Sequence, residues 1–244
     1  MTKRWPRLDP PPAGAKLEPP PPSNVVWLKL LSAHTTARMR NGNAWDEGGG
    51  LPDPYAVLSV NGKKILQSNA VSDTTDPVWD SGEHGNFEIA KDAKVRIELF
   101  DDDGMSADSM GSAELAGLST DEAKDGVIVV DLGTGTQVRL AVEPAHPLYG
   151  MGFTYDYILR KCRITKVFAQ GPAARAGLKI DDEVIKINGA AVSDMDSEAL
   201  RKRFGTVPKI GFGLQVLHPS GTTEFIQFGE GPVYALYSEV GELD

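Results

Sequence analysis

From Val25 onward the chain is a succession of short apolar–polar alternations broken by turn residues, and this pattern limits the fold more than any other feature. Val95-Arg96-Ile97-Glu98-Leu99 is the clearest instance. Successive side chains on a strand point to opposite faces, so this run turns Val95, Ile97 and Leu99 to one side and Arg96 and Glu98 to the other. Runs rich in β-branched and aromatic residues predict strands over 25–33, 55–60, 63–67, 86–89, 95–100, 109–115, 127–131 and 137–142. Asn61-Gly62 between two of them is a type I′ hairpin signal. Eight short strands in about 120 residues predict an antiparallel β-sandwich.

The texture changes near Pro144. Strands are predicted over 153–158, 164–168, 183–188, 211–217 and 223–228, alternating with two short helices. The first helix, 172–176, has proline in its first turn and Gly177 just after its end. The second, 196–204, has Asp196 as its N-cap and Gly205 at its close, with Leu200 and Phe204 one turn apart on an apolar face. Residues 1–23 contain Pro10-Pro11-Pro12 and Pro19 to Pro22 and read as an extended or disordered tail with PxxP-like spacings. The expected organisation is a tail over 1–23, a first domain over 24–143, a second over 144–230 and a C-terminal tail over 231–244.

Charge and cysteine content exclude several classes. The net charge of −9 argues against nucleic acid as a partner, because phosphate backbones need clustered Lys and Arg. The single cysteine, Cys162, allows no intramolecular disulfide and fits a reducing compartment. No apolar stretch follows Met1-Thr2-Lys3-Arg4 and no run approaches 18 apolar residues, so neither a signal peptide nor a membrane span is expected. A cytoplasmic chain that meets membranes only peripherally is the expectation. The four histidines show no ligand spacing, and no nucleophile elbow, zincin helix or P-loop occurs. Asp131-Leu132-Gly133-Thr134-Gly135-Thr136 has a methyltransferase-like glycine pattern but lacks the following helix, so it reads as a hairpin turn.

Aspartates collect at two strand ends. Asp101, Asp103 and Asp108 follow the apolar strand over 95–100, while Asp46 and Asp53 bracket a glycine-rich loop. Such a cluster repels itself unless a cation joins it, and calcium takes six to eight oxygen ligands of this kind. Asp53-Pro54-Tyr55 with the strand after it, Thr75-Asp76-Pro77-Val78-Trp79-Asp80 with Phe87, and Leu99-Phe100-Asp101-Asp102-Asp103 with Asp108 and Gly111 together resemble the C2 domain family across about residues 24–142. The resemblance implies an eight-stranded antiparallel sandwich that binds acidic phospholipid through shared calcium. The strand order resembles the family's type II topology. The implied calcium ligands are Asp46, Asp53, Asp101, Asp103 and Asp108, with Glu47 an alternative to Asp46. Trp45 and Met105, near the loop tips, are candidates for membrane contact, Trp45 alternatively packing on its own loop. Residues 24–142 hold 10 Lys and Arg against 19 Asp and Glu, so neither a basic lipid-binding face nor a calcium-independent phosphoinositide site is expected.

In the second half, two glycines in Gly150-Met151-Gly152-Phe153 let consecutive amides turn into one concavity suited to a carboxylate. This segment, Ile164-Thr165-Lys166-Val167, the run from Gly171 to Leu178 and the run from Asp181 to Gly189 resemble, in that order, the PDZ domain family across about residues 147–228. The resemblance implies a small β-barrel with two short helices that binds a partner's C-terminal peptide as an added strand beside residues 153–158. Met151, Gly152 and Phe153 would hold the terminal carboxylate; Met151, Phe153 and Phe204 would line the pocket for the last side chain. Ser197 and Arg201 would face the groove from the second helix. The alternative is that residues 229–244 fill that groove. The function expected is a non-enzymatic, calcium-dependent membrane adaptor, the alternative a calcium-insensitive scaffold.

Overall fold

The computed structural model describes residues 20–45, 49–80, 82–104, 106–121, 125–206 and 211–240. The proline-rich residues 1–19 and the expected site residues Asp46 and Met105 lie outside the described residues. The described residues divide into two compact units, one over Ser23–His146 and one from Pro147 onward.

The first unit contains β1 (Val25–His34), β2 (Pro54–Val60), β3 (Lys63–Gln67), β4 (His84–Glu88), β5 (Lys94–Asp102), β6 (Ala107–Ala116), β7 (Val127–Gly133) and β8 (Thr136–Pro144). They form two four-stranded sheets, ordered β4-β1-β8-β7 and β3-β2-β5-β6, and every pairing is antiparallel. Alternation explains the core. On β5, Val95, Ile97 and Leu99 are buried while Lys94, Arg96 and the far end at Asp102 are exposed. Leu28, Leu58 and Leu140 are likewise fully buried. The β2–β3 turn takes the left-handed conformation at Asn61 (φ 50) and Gly62 (φ 79), as the Asn-Gly signal predicts. Residues 75–79 lie antiparallel beside β1: Thr35 and Ala33 donate to the carbonyls of Thr75 and Pro77, Trp79 donates to the Leu31 carbonyl, and the Trp79 side chain is buried.

The second unit contains β9 (Leu148–Gly150), β10 (Phe153–Ile158), β11 (Lys161–Val167), α1 (Pro172–Arg175), β12 (Glu183–Ile187), β13 (Ala190–Ala191), α2 (Ser197–Gly205), β14 (Phe212–Leu217), β15 (Thr223–Phe228), β16 (Gly231–Val233) and α3 (Tyr237–Val240). The main sheet runs β10-β11-β12-β14-β15, so β10 is an edge strand among the described residues. The core gathers Phe153, Tyr155, Ile164, Val184, Leu200, Phe204, Phe212 and Ile226. Asp196 caps α2 by accepting the Ala199 N–H at 2.7 Å, as its position before the apolar face predicts.

Part of the segment read as a C-terminal tail is built into this unit. β16 pairs with β9, and Val233 and Ala235 pack against Phe168 and Leu148. These strands are three residues long, too short to carry a period in the sequence. Residues 231–233 therefore lie on β9 and not on the outer edge of β10.

Candidate functional site

The acidic end of the first unit follows from strand register. The buried face of β5 continues from Leu99 to Asp101, which is itself fully buried. A register shift between Leu99 and Phe100 sets Asp101 directly opposite Asp108 of β6, and Pro54 of β2 pairs with Asp101 on the other side. Three neighbouring strands thus bring Asp53, Asp101 and Asp108 to one end of one sheet. Like charges placed opposite each other on a ladder destabilise it.

Hydrogen bonds tie this end together. Asp101 Oδ1 accepts the Asp53 N–H at 2.6 Å, and Asp53 Oδ1 accepts the Asp73 N–H at 2.7 Å. Asp102 donates its N–H to the Asp53 carbonyl at 3.1 Å, and its own Oδ1 accepts from Gly104 at 3.0 Å. Asp103 Oδ2 accepts the Ser106 hydroxyl at 3.3 Å. Burial, and then the Asp102 carboxylate, raise the Tyr55 hydroxyl above the usual tyrosine range, which puts Tyr55 beside the acidic loop. Asp73 joins the acidic loops by this bond although the sequence reading did not single it out. Its φ of 54 and its Ser72-Asp73 setting have the marks of an ordinary turn, so no signal separated it from one.

The donors are carboxylate and carbonyl oxygens, the set a hard divalent cation takes. Among the described residues, however, no three His, Cys, Asp or Glu side chains converge as a metal cluster. Trp45 is half-buried, and its indole N–H donates to the Thr36 carbonyl at 2.8 Å, which holds the ring on its own loop.

In the second unit the segment before β10 is shaped by glycine. Gly152 has φ +79, and a Cβ there would lie 3.0 Å from Gly171 Cα and 3.3 Å from Pro172 Cδ. The Met151 carbonyl accepts the Ala173 N–H at 3.0 Å and the Gly152 carbonyl accepts the Phe168 N–H at 2.9 Å. Across a trans peptide the carbonyl and the next N–H point in opposite directions. The amides of Gly152 and Phe153 therefore both turn away from α1 and β11, as a carboxylate nest requires.

Beside this nest, Met151, Phe153 and Phe204 are all buried in the core. Tyr155 is buried with them, its ring 4.8 Å from that of Phe204. Burial drives the Tyr155 hydroxyl well above the usual tyrosine range, partly offset by the Arg201 charge. Ser197 and Arg201 are exposed on α2. The sequence reading missed Tyr155. Alternation from Phe153 placed it on the buried face, but nothing in the pattern told which neighbour it would meet.

An antiparallel β-sandwich with an acidic loop end, and a compact mixed unit with an edge strand beside a short helix, define two interaction modules. The C2 domain model matches residues 26–129 and the PDZ domain model residues 139–207, so the chain carries a C2 domain followed by a PDZ domain. Modules of these two families typically bind rather than catalyse. No curated protein matches the chain. Similar solved structures include the calcium-bound pair of C2 domains of extended-synaptotagmin 2, at 20% identity and TM-score 0.37, covering 55% of this chain and 49% of that one. A single C2 domain of plant extended synaptotagmin 1 is 19% identical at TM-score 0.38, covering 50% and 96%. Human GIVD cytosolic phospholipase A2 is 11% identical at TM-score 0.38, covering 87% and 29%. The chain thus spans about half of the extended-synaptotagmin 2 structure. Among the described residues, no helix is long and apolar enough to cross a membrane.

Proposed function

We propose that the chain is a non-enzymatic peripheral membrane adaptor. Its C2 domain docks on acidic phospholipid with calcium, and its PDZ domain holds the C-terminal peptide of a partner. The observation that carries the first half is the register that brings Asp53, Asp101 and Asp108 to one sheet end. Asp53, Asp101, Asp103 and Asp108, with Asp46 from the same loop as Asp53, would hold the ion, which when bound supplies positive charge for anionic headgroups. Met105 would stand at the lipid interface, whereas the bond to the Thr36 carbonyl favours Trp45 packing on its own loop.

The second half rests on the edge strand β10 and the outward-turned amides of Gly152 and Phe153. A peptide would add as a strand along β10, its carboxylate on the Met151–Phe153 amides and its side chains facing Ser197 and Arg201. Tyr155, packed with Phe153 and Phe204 in the core, would narrow a last-residue pocket at this place, which would favour a small last residue.

A second reading, a calcium-insensitive scaffold, is favoured by one observation: Asp53 and Asp101 each have an oxygen occupied by a loop amide. Calorimetric titration of calcium into the chain, with and without phosphatidylserine vesicles, separates the two. The adaptor reading expects calcium to bind, and more tightly with vesicles present; no heat in either arm leaves the scaffold.

A further inference from the structure

The end of the β10–β11 hairpin carries the basic residues Arg160, Lys161 and Arg163, and carboxylates neutralise two of them. Arg163 pairs with Asp181 at 2.9 Å and Lys161 with Glu183 at 3.5 Å. Arg160 instead donates Nη1 to the backbone carbonyl of Ser193 at 2.9 Å, and it makes no ion pair among the described residues. A guanidinium carries five N–H donors in a planar fork, so one carbonyl leaves most of them, and the whole charge, for a further acceptor.

The residue that Arg160 touches is a serine in an acidic run. Ser193 is exposed in the three-residue 3-10 turn Val192–Asp194, between β13 and α2. Asp194, Asp196 and Glu198 follow it at alternate positions. Carboxylates so placed complement a protein kinase whose substrate cleft is basic. The Ser193 hydroxyl donates to the exposed Asp194 carboxylate at 3.2 Å, a surface contact that leaves it within reach of an enzyme. Tyr157 of β10 already ties the same stretch to the hairpin, its hydroxyl donating to the Met195 carbonyl at 2.5 Å.

We propose that Ser193 is a phosphorylation site and that Arg160 receives the phosphate. The γ-phosphoryl group of a nucleoside triphosphate passes to Ser193 Oγ. The new O–P bond forms as the bond to the nucleoside diphosphate breaks, and the hydroxyl proton goes to the catalytic base of the kinase. A phosphate carries close to two negative charges, so it is repelled by Asp194 and turns to the guanidinium that already lies against the same residue. The bridge fastens the β10–β11 turn to the stretch leading into α2. The left-handed backbone at Arg160, φ 62, fits this role, because strained turns persist where function holds them. The bridge does not depend on the proposed peptide binding.

The test treats the full chain with ATP and casein kinase II, an acid-directed kinase, maps the phosphate by mass spectrometry and follows amide hydrogen exchange. The expected result is phosphate on Ser193 and exchange over residues 159–161 and 193–195 slowed about tenfold, equivalent to ~1.4 kcal/mol, the order of one charge-assisted hydrogen bond. An Arg160→Gln variant should take up phosphate at the same serine without the slowing. Exchange of the unmodified variant that matches the wild-type chain in the strands confirms that it folds. Ser119, which precedes Asp121 and Glu122, is a second acid-flanked serine. Phosphate confined to Ser119, or none at all, would overturn the site. Phosphate on Ser193 with no slowing, or with equal slowing in the Arg160→Gln variant, would overturn the role of Arg160. Peptide and vesicle binding are not read in this experiment, so failure of the adaptor reading leaves its outcome unchanged.

Discussion

The buried carboxylate of Asp101 accepts the backbone N–H of Asp53 at 2.6 Å, so the last inward-facing residue of β5 fixes the start of β2. Asparagine retains an acceptor oxygen and alanine does not. Asp101→Ala should therefore lose about 1–3 kcal/mol in chelator, because the Asp53 amide is left without this acceptor. Asp101→Asn should lose less in chelator and should lose the calcium-dependent rise in melting temperature. Denaturant unfolding with and without calcium reads both effects.

His218 contacts two carboxylates, Asp182 Oδ1 at 2.7 Å through Nδ1 and Glu224 Oε2 at 3.0 Å through Nε2. The hydrogen bonds to Asp182 and then Glu224 raise its pKa above the usual histidine value. A raised folded-state pKa means that the imidazolium stabilises the fold fully below the unfolded pKa of about 6.5 and is lost as pH rises through the higher folded value. The PDZ domain should become less stable from neutral to mildly alkaline pH, and His218→Gln should remove that slope. Thermal melts of both proteins across this range test it; parallel slopes would contradict it.

Tyr155 packs against Phe204 where the last side chain of a bound peptide would sit. Tyr155→Val should cost roughly 2–4 kcal/mol of stability as a large-to-small core change. It should also shift peptide preference from a small terminal residue towards leucine or isoleucine. Fluorescence polarisation over a panel of C-terminal peptides measures the shift; an unchanged ranking would remove Tyr155 from the pocket.

The β10–β11 turn places Leu159 at φ 50 and Arg160 at φ 62, with Leu159 92% exposed. A left-handed backbone costs a branched side chain about 1–2 kcal/mol, and Asn tolerates it better. Leu159→Asn should raise the stability of this domain by about 1 kcal/mol, and a lower denaturation midpoint would contradict the strain.

These two turns show what the sequence makes legible. Asn61-Gly62 announces a two-residue turn because its residues suit the conformation, whereas Leu159-Arg160 adopts a left-handed turn against its local preference and gives no signal. Period-2 alternation identified β5, because one face of it packs in a core, but the expected strand stopped at residue 100, whereas β5 runs on to Asp102 and carries Asp101 at the end of that face. The β9–β16 pair escaped because each strand spans three residues and their partnership joins positions some 80 residues apart. The turn before β10 was legible from its glycines, since the φ of +79 at Gly152 serves a backbone need. Asp73 was not, since its role rests on an amide contact with a residue 20 positions earlier.

The most direct test of calcium-dependent docking is co-sedimentation of the full chain with phosphatidylserine vesicles in calcium and in chelator, beside an Asp101→Asn plus Asp103→Asn variant. The account predicts that calcium increases binding of the wild-type chain and that the variant loses this increase. Equal wild-type binding in calcium and chelator would contradict it.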